Sequence, residues 1–293
     1  MTREQWLNDR RYAPDGGYRI TASDVAAITG WHPTRTAIDV YATKITGDEI
    51  VDTVEMMMGR EFEEPIAKIY ADLTGREVHN PGSTRLLAHP DIPWLAATND
   101  REIWEIGTSP DELPGAPLEI KHAGFQKLKE WSNGCPMWVQ IQNQIQMACS
   151  SSSWGAYCGV VGGTAPKFGD LSFSSAFIDS TIPDLEKFRK CCKTKTVPEV
   201  QKPRDLDTIK DLFPHDNKES VQLGHAIFEA LTEWEDYKTN IREFEEERRK
   251  LEAKIRAAIG EATFGVLPDG SYVALKTTVR KDGVSYRTLN WKE

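Results

Sequence analysis

Apolar residues recur at steps of three and four in several stretches of the chain, which predicts helices with one buried face. The clearest stretch runs from about residue 56 to 74 and is followed by Gly75, a residue type that commonly ends a helix. Its apolar positions are Met58, Phe62, Ile66, Ile69 and Leu73. Similar spacing predicts helices over 136–149 and near 183–192, and a short helix that ends at Gly30.

Short apolar runs bounded by turn residues predict strands. These runs cover residues 94–100, 101–106, 118–122, 154–161 and 171–178. In the run 118–122 polar and apolar residues alternate, so Glu119 and Lys121 are expected to project from one face of the sheet. Strands interspersed with helices predict an α/β fold with a central mixed β-sheet flanked by helices.

The chain changes character after residue 192. Residues 193–217 contain three prolines and many charged side chains, a composition typical of a linker. We therefore predict a core domain over residues 1–192 and a separate extension over residues 218–293.

The extension is predicted to hold a long helix and a β-hairpin. From Trp234 to Ala258 the apolar residues again step by three and four, with Arg248 as the one polar exception, and the remaining positions are charged. This pattern is typical of a coiled-coil arm or an oligomer contact. The turn at Asp282-Gly283 between two apolar runs predicts the hairpin.

Charge and composition narrow the class of protein. The chain has 36 Lys and Arg against 45 Asp and Glu, a formal net charge of -9, which disfavours a nucleic-acid partner. Metal-dependent nucleases are the exception, because they cluster carboxylates around cations and confine basic residues to a groove. No run approaches the ~20 apolar residues of a membrane-spanning helix, and no secretory signal is recognisable. The five cysteines form no CxxC pair, which favours a reducing compartment, the cytoplasm, over a disulfide framework or an iron–sulfur site.

The most informative group of residues is Asp100, Glu119 and Lys121. Asp100 ends one predicted strand, and Glu119 and Lys121 lie on the next long one. If the two strands are neighbours, both carboxylates and the Ile120 carbonyl form a set of hard oxygen ligands suited to Mg²⁺ or Mn²⁺. A lysine beside them stabilises charge that develops on a phosphate or orients a water. The chemistry that this group predicts is phosphodiester hydrolysis.

Several segments occur in an order and at a spacing that resemble the YqaJ-like viral recombinase family. That family includes the lambda-type exonucleases of the PD-(D/E)xK nuclease superfamily. The segments are ITASD (20–24), GREFEEP (59–65) with Tyr70, ATND (97–100), LEIK (118–121) and QIQNQ (140–144). The resemblance covers roughly residues 1–190 and implies a restriction-endonuclease-like core.

The resemblance assigns a role to each member of the group. Asp100 and Glu119 are implied metal ligands together with the Ile120 carbonyl, and Lys121 is the implied catalytic lysine. Glu63 matches a helix glutamate that supports a metal-bound water. It is favoured over Glu64, which is four residues before Lys68 and is expected to form a surface pair with it.

Two further positions follow from the same resemblance. Gln140 matches a glutamine close to the scissile phosphate, and Ser23 matches a helix-start serine that binds a terminal 5′-phosphate with a nearby arginine. Arg19 is the expected partner of Ser23, with Arg10 and Arg11 as open alternatives.

The sequence departs from the family on both sides of Asp100. The family commonly has proline before this aspartate and glycine after it, whereas here Asn99 and Arg101 stand there. Neither family residue supplies a ligand, so the departure leaves the implied metal site in place.

The leading functional hypothesis is a Mg²⁺-dependent deoxyribonuclease that digests double-stranded DNA from its ends. The resemblance implies 5′→3′ polarity, 5′-phosphomonoester products and a role in phage or prophage recombination. It also implies a homo-oligomer, a trimer in the lambda-type enzymes, and a single-strand-annealing recombinase as partner. A phage-type endonuclease is the nearest alternative. A DNA-end-binding module with a vestigial nuclease site is the alternative from a different class.

Overall fold

The computed structural model describes residues 2–47, 52–108 and 115–292. The chain divides into two compact units, residues 1–215 and 216–293, and each is described by itself below. Within the described ranges, no helix combines the length and the apolar character that crossing a bilayer requires.

The helices of the described residues lie in both units. They are α1 (Arg3–Arg11), α2 (Ala22–Ile28), α3 (Ala37–Thr46), α4 (Val54–Thr74), α5 (Met137–Ser150), α6 (Ser175–Thr194), α7 (Asp205–Leu212) and α8 (His225–Ile259). Local sequence explains several of their ends. Thr2 and Thr36 accept hydrogen bonds from the third residues of α1 and α3, and Gly75 ends α4 in the left-handed conformation that glycine tolerates.

The strands form three sheets. They are β1 (Ile20–Thr21), β2 (Val78–His79), β3 (Leu87–Ala88), β4 (Leu95–Ala97), β5 (Arg101–Ile103), β6 (Ala116–Ala123), β7 (Trp154–Val161), β8 (Lys167–Ser172), β9 (Phe264–Val266), β10 (Tyr272–Val279) and β11 (Ser285–Lys292). The largest sheet has the order β2-β5-β6-β7-β8. In it β6 and β7 are parallel and the other neighbours are antiparallel. The predicted α/β fold with a central mixed sheet is therefore confirmed.

Strand β6 lies at the centre of this sheet between two helices. Its apolar residues Leu118 and Ile120 pack into a core that also contains Ile66 and Tyr70 of α4. Its polar residue Glu119 meets α5 on the opposite face. The alternation along β6 thus separates the core from a polar layer beneath α5.

Helix α5 is anchored to the sheet by a buried amide. The Nδ2 atom of Asn143 lies 3.2 Å from the Ala156 carbonyl of β7 and 3.4 Å from the Pro117 carbonyl of β6. Gly155 permits this approach, because a Cβ at that position would overlap the Asn143 side chain. The anchoring fixes which side chains of α5 lie over β6.

Two segments after residue 170 differ from the pattern-based expectation. Of the predicted strand 171–178, residues 171–172 end β8, whereas residues 175–178 are helical, because Ser174 caps α6 by accepting a hydrogen bond from the N–H of Phe177. The segment 193–217, whose prolines predict a linker, contains α7, and its residues 193–215 belong to the first unit. Its Thr208 hydroxyl donates to Asp39 of α3 at 2.7 Å. The prolines lie on either side of α7, so the composition of the whole segment resembles that of a linker although it contains a helix.

The second unit consists of α8 and the antiparallel sheet β9-β10-β11. Arg287 of β11 donates to the carbonyl of Gly260 at 2.5 Å. Arg256 of α8 donates to the Arg287 carbonyl at 3.0 Å. These bonds attach the sheet to the C-terminal end of α8, and the predicted long helix and antiparallel strands are confirmed.

Candidate active site

The pairing of β5 with β6 brings Asp100 and Glu119 side by side. Arg101 is opposite Leu118 in this antiparallel pair, so the residue before it, Asp100, lies beside Glu119. The Oδ2 atom of Asp100 accepts a hydrogen bond from the backbone N–H of Ile120 at 2.9 Å. The two carboxylates therefore meet where β5 begins, beside the middle of β6.

Glu119 is completely buried, and both of its carboxylate oxygens have partners. Oε1 pairs with the Nζ atom of Lys121. Oε2 accepts a hydrogen bond from Nε2 of Gln146 at 2.6 Å. The same nitrogen lies 3.2 Å from the Thr98 carbonyl, so Gln146 of α5 joins β6 to the loop that carries Asp100.

Lys121 lies among groups that stabilise its positive charge. Burial by itself lowers the pKa of Lys121, but the carboxylates of Glu119 and Asp100 outweigh this effect and hold the pKa above its usual value. Its Nζ atom is 5.3 Å from the centre of the Trp138 ring and 3.4 Å from Oε1 of Gln142. The side chain is therefore a fixed cation at neutral pH.

Arg101 joins Glu63 and Glu64 of α4 to the strand that begins next to Asp100. Its guanidinium is 95% buried, with one nitrogen 3.5 Å from Glu63 and another 2.9 Å from Glu64. It also donates to the Asp100 carbonyl at 2.5 Å. Burial raises the pKa of Glu63, and the charge of Arg101 opposes that rise. The expected surface pair of Glu64 with Lys68 is replaced by this contact with Arg101.

The acidic pair has the donor chemistry of a Mg²⁺ site. Burial, followed by the negative charge of Glu119, raises the pKa of Asp100 well above its usual value. A divalent cation held by these carboxylates would offset this repulsion. In the described ranges no three His, Cys, Asp or Glu side chains are grouped as metal ligands. Mg²⁺ commonly uses one or two carboxylates and completes its shell with water and phosphate oxygens. The residues therefore fit Mg²⁺.

Gln140 and Gln142 lie on different faces of α5, since residues two apart on a helix are separated by about 200°. Gln140 donates to the Cys135 carbonyl at 2.7 Å, near the start of its own helix. Gln142 faces Lys121 and lines the same groove as Asp100. The structure thus brings Gln142, and not Gln140, into contact with the candidate catalytic residues.

Ser23 lies in a basic pocket next to Arg10. A guanidinium nitrogen of Arg10 is 3.0 Å from the Ser23 hydroxyl, and one of Arg35 is 3.4 Å from the Ser23 carbonyl. Arg19 is directed elsewhere, because its nitrogens donate to the carbonyls of Tyr12 and Pro93 at 3.2 and 2.9 Å. Of the three arginines left open by the sequence, Arg10 is the one in contact with Ser23.

Asp24 holds the cations of this pocket together. Its carboxylate lies 3.0 Å from Lys44 and 3.5 Å from Arg35, and it accepts a hydrogen bond from the Thr21 hydroxyl at 2.8 Å. Burial by itself raises the pKa of Asp24, but Lys44, Arg35 and Arg10 together lower it far below its usual value. With one acid among three cations, the pocket keeps a positive charge.

One groove connects Asp100 of the acidic pair to the basic pocket. It has a volume of about 660 Å³, and Asp100, Glu63 and Gln142 line it together with Arg10 and Ser23. A second cavity of about 530 Å³ continues from Arg10 and Ser23 to Lys44. A strand whose terminal phosphate lay near Ser23 would therefore share one depression with the carboxylates.

The arrangement agrees with a match to a known protein family. Residues 5–153, more than half of the chain, match the YqaJ-like viral recombinase domain. The chain belongs to this family. The YqaJ protein of Bacillus subtilis strain 168 is 23% identical over 298 residues, which cover 99% of this chain and 88% of that protein.

Solved structures support the fold assignment of this YqaJ-like chain. The alkaline exonuclease LHK-Exo from Laribacter hongkongensis has a TM-score of 0.51 and 20% identity, covering 66% of this chain and 94% of its own. A structure of LHK-Exo in complex with dAMP gives a TM-score of 0.52 with the same identity and coverage. The YqaJ-like chain therefore has the fold of the phage-type alkaline exonucleases.

Three contacts in this YqaJ-like site involve residues that sequence reasoning did not select. Gln146 and Trp138 approach Glu119 and Lys121 from α5, and Arg101 approaches Glu63 from β5. The sequence has one signal for the last of them, an arginine directly after the aspartate where the family commonly has glycine. No local sequence pattern identifies Gln146 or Trp138 as site residues, because their positions depend on how α5 crosses the sheet.

Proposed function

We propose that this protein is a Mg²⁺-dependent exonuclease that hydrolyses phosphodiester bonds from the ends of double-stranded DNA. Mn²⁺ is the expected substitute for Mg²⁺. The observation that carries the proposal is the single groove that Asp100 and Glu63 share with Arg10 and Ser23. An acidic pair suits a cation and the reacting phosphate, and a basic pocket in the same groove suits a terminal phosphate.

In the proposed reaction Asp100, Glu119 and the Ile120 carbonyl hold the cation. Bound there, Mg²⁺ supplies Lewis-acid activation of the scissile phosphate and of the attacking water. The Lys121 ammonium, fixed by Glu119 and the Trp138 ring, stabilises negative charge that develops on the phosphate.

Two groove residues are proposed to position the water and the phosphate. Glu63 orients the attacking water, and its carboxylate is kept in place by Arg101. Gln142, which lies beside Lys121, is proposed to take the role near the scissile phosphate that the family resemblance implied for Gln140. Its amide is suited to bind a phosphate oxygen or the water. The attacking water forms a bond to phosphorus and the bond from phosphorus to the 3′ oxygen breaks, so the proposed products are a 3′-hydroxyl and a 5′-phosphomonoester.

End recognition is proposed to occur at Arg10 and Ser23. The Arg10 guanidinium and the Ser23 hydroxyl are both suited to bind a 5′-phosphate, and Arg35 and Lys44 add positive charge behind them. Binding of the 5′-phosphate at one end of the groove implies 5′→3′ polarity. The dAMP bound by the related LHK-Exo supports a deoxynucleotide polymer as substrate.

The wider role proposed is phage-type DNA recombination, which follows from the family. A single-strand-annealing recombinase is the proposed partner, since resection of an end supplies the single strand on which such a protein acts. A homo-oligomer, a trimer as in the lambda-type enzymes, is the proposed assembly of the nuclease core.

The decisive experiment compares a linear duplex that has 5′-phosphates with a covalently closed circle, each incubated with the protein and Mg²⁺. Loss of the linear duplex alone supports the exonuclease. Cutting of the circle indicates an endonuclease, and binding without loss indicates an end-binding module. EDTA is expected to abolish the reaction and Mg²⁺ or Mn²⁺ to restore it, while cleavage that persists in excess chelator contradicts the mechanism.

A matched pair of variants ties the activity to the site. Lys121→Ala removes the proposed transition-state cation and is expected to lower kcat about 10²–10³-fold. Lys129→Ala is the control, because it makes the same change at an exposed lysine and is expected to retain full activity. Circular dichroism of both variants checks that each is folded. Near-normal turnover of folded Lys121→Ala protein would contradict the proposed role.

A further inference from the structure

Helix α8 of the second unit exposes a continuous stripe of large apolar side chains. Trp234, Tyr237, Ile241 and Leu251 are each more than half exposed, and Phe244 is 74% exposed. The sheet β9-β10-β11 is attached elsewhere, through Arg256 and the end of the helix. Large apolar residues in a row of this kind mark an interaction surface.

The stripe follows a strict heptad repeat over most of α8. The residues at its a positions are Ile227, Trp234, Ile241, Arg248 and Ile255. The residues at its d positions, three after each a position, are Ala230, Tyr237, Phe244, Leu251 and Ala258. A repeat of seven residues maintained over about 47 Å of helix is the pattern of a coiled-coil seam.

Arg248 and the flanking charges disfavour a parallel pair of α8 helices. In a parallel pair the two copies of Arg248 meet in the same layer of the seam, where like charges repel. Glu247 at a g position then faces Glu252 at the following e position of the second copy, which is a second repulsion. Glu233 with Lys238 is the one attractive charge pair between the copies in that arrangement.

An antiparallel pair centred between Ile241 and Phe244 has complementary charges instead. Glu233 then faces Lys254 of the second copy, and each such pair occurs twice by symmetry. Lys238 faces Glu245 of the second copy, and no two like charges at these flanking positions are opposed.

The same arrangement gives the one polar residue of the seam a suitable partner. Arg248 lies in the layer of Tyr237 of the second copy, and the hydroxyl of Tyr237 donates to Glu233 of its own helix at 2.6 Å. A guanidinium at this place therefore meets an aromatic face and a carboxylate. A polar residue at a single a position commonly fixes the orientation of a coiled coil.

We propose that α8 is a dimerisation arm that pairs with α8 of a second copy as an antiparallel coiled coil. The contact uses residues of the second unit alone and does not depend on nuclease activity. Each pair of chains carries two catalytic grooves, and any association of residues 1–215 is additional to this contact.

Sedimentation equilibrium of the full chain tests the proposal. We expect an association step through α8, additional to the proposed trimer of the nuclease core, that Ile241→Glu combined with Phe244→Glu weakens at least tenfold in Kd. Thr239→Glu, at an f position on the opposite face of the same helix, is the control and leaves the Kd unchanged. Circular dichroism checks that all variants keep the helix. A wild-type chain that stays monomeric, or an assembly unaffected by the seam substitutions, overturns the proposal.

A charge exchange tests the orientation. Glu233→Lys and Lys254→Glu are each expected to raise the dimer Kd about threefold or more, and the double variant is expected to return it to within about twofold of wild type. In a parallel pair Glu233 faces Lys238 of the second copy and Lys254 faces Ile259, so positions 233 and 254 do not meet. The double variant would then bind no more tightly than the single variants. A double variant that binds no better than the single variants overturns the antiparallel arrangement.

Discussion

The side-chain amide of Gln146 donates a hydrogen bond to Glu119, with 2.6 Å between Nε2 and Oε2. Both residues are fully buried, and they belong to a helix and a strand that pack face to face. The bond leaves Glu119 with one oxygen bound by α5 and the other paired with Lys121. The orientation of the proposed metal-binding carboxylate therefore depends on a residue that does not itself bind metal.

Replacing Gln146 tests this dependence. Gln146→Leu removes the donor from a buried carboxylate, and we expect the apparent Mg²⁺ affinity to fall about 10–100-fold, as is typical when a hydrogen bond to a metal ligand is lost. A Mg²⁺ titration of the initial rate measures the effect, and high Mg²⁺ should restore much of the activity. Gln144→Leu, which removes hydrogen bonds to the backbone of Ser172 and Ser174 and none to Glu119, is the matched control. Equal Mg²⁺ dependence in the two variants would show that Gln146 does not position Glu119.

The two glutamines Gln140 and Gln142 make a second test of the site. Gln142→Ala removes the amide beside Lys121, and we expect kcat to fall at least tenfold with little change in stability. Gln140→Ala removes only a hydrogen bond to Cys135 and is expected to keep most of the activity while losing about 0.5–1.5 kcal/mol of stability. Steady-state rates and thermal unfolding of both variants decide the assignment. A larger loss of kcat in Gln140→Ala than in Gln142→Ala would instead support the role near the scissile phosphate that the family resemblance implies for Gln140.

The acidic pair was predictable because its position depends on local rules. The alternation in β6 separates Glu119 and Lys121 from Leu118 and Ile120, and an antiparallel neighbour brings Asp100 alongside. The period of the strand is visible in the sequence, whereas the pairing that brings Asp100 alongside Glu119 was a condition of the prediction that the register of β5 and β6 fulfils.

The contacts from α5 and α4 were not predictable, because they depend on tertiary packing. Four glutamines alternate along α5, and only the crossing of that helix over β6 selects Gln142 and Gln146. Glu64 has Lys68 at helical spacing, yet it contacts Arg101, which is buried and distant in sequence. The charge of a buried arginine outweighs that of a solvated lysine at the surface.

Arg101 is expected to stabilise the fold around Glu63. Arg101→Gly restores the residue common in the family but leaves both glutamates of α4 without this partner. We expect a loss of about 1.5–3 kcal/mol in the free energy of unfolding, the range for hydrogen bonds to charged groups. Urea unfolding measures this loss, and Arg101→Lys is the matched variant that keeps the charge without the two-nitrogen contact. Unchanged stability in Arg101→Gly would show that the contact contributes nothing.

Arg10 and Arg19 are expected to have separable roles. Arg10→Ala should lower the rate on duplexes with a 5′-phosphate and reduce their advantage over 5′-hydroxyl ends, because it removes the cation beside Ser23. Arg19→Ala should lower the thermal midpoint, since it frees the carbonyls of Tyr12 and Pro93, but should preserve the rate ratio of the two ends. Initial rates on both substrates with each variant measure the ratio. A ratio that depends on Arg19 and not on Arg10 would reverse the assignment.

Asp24 predicts a pH dependence of stability. The surrounding Lys44, Arg35 and Arg10 outweigh burial and lower the pKa of Asp24 in the folded protein. A group with a lowered folded pKa stabilises the protein above its unfolded pKa of about 3.9 and loses that contribution as the pH falls below it.

We therefore expect Asp24→Asn to lose about 3–5 kcal/mol of stability at pH 7, because it leaves Lys44 buried beside a neutral group. The difference from wild type should shrink as the pH falls from about 5 towards 3, because the unfolded wild-type chain takes up a proton at Asp24 in this range while the folded protein keeps Asp24 charged. Asp15→Asn is the control at an exposed ion pair with Arg189 and should change stability by less than about 1 kcal/mol. Urea unfolding of the three proteins across this pH range measures the trend. A difference that stays constant down to pH 3 would show that the charge of Asp24 is not the source of its stabilising effect.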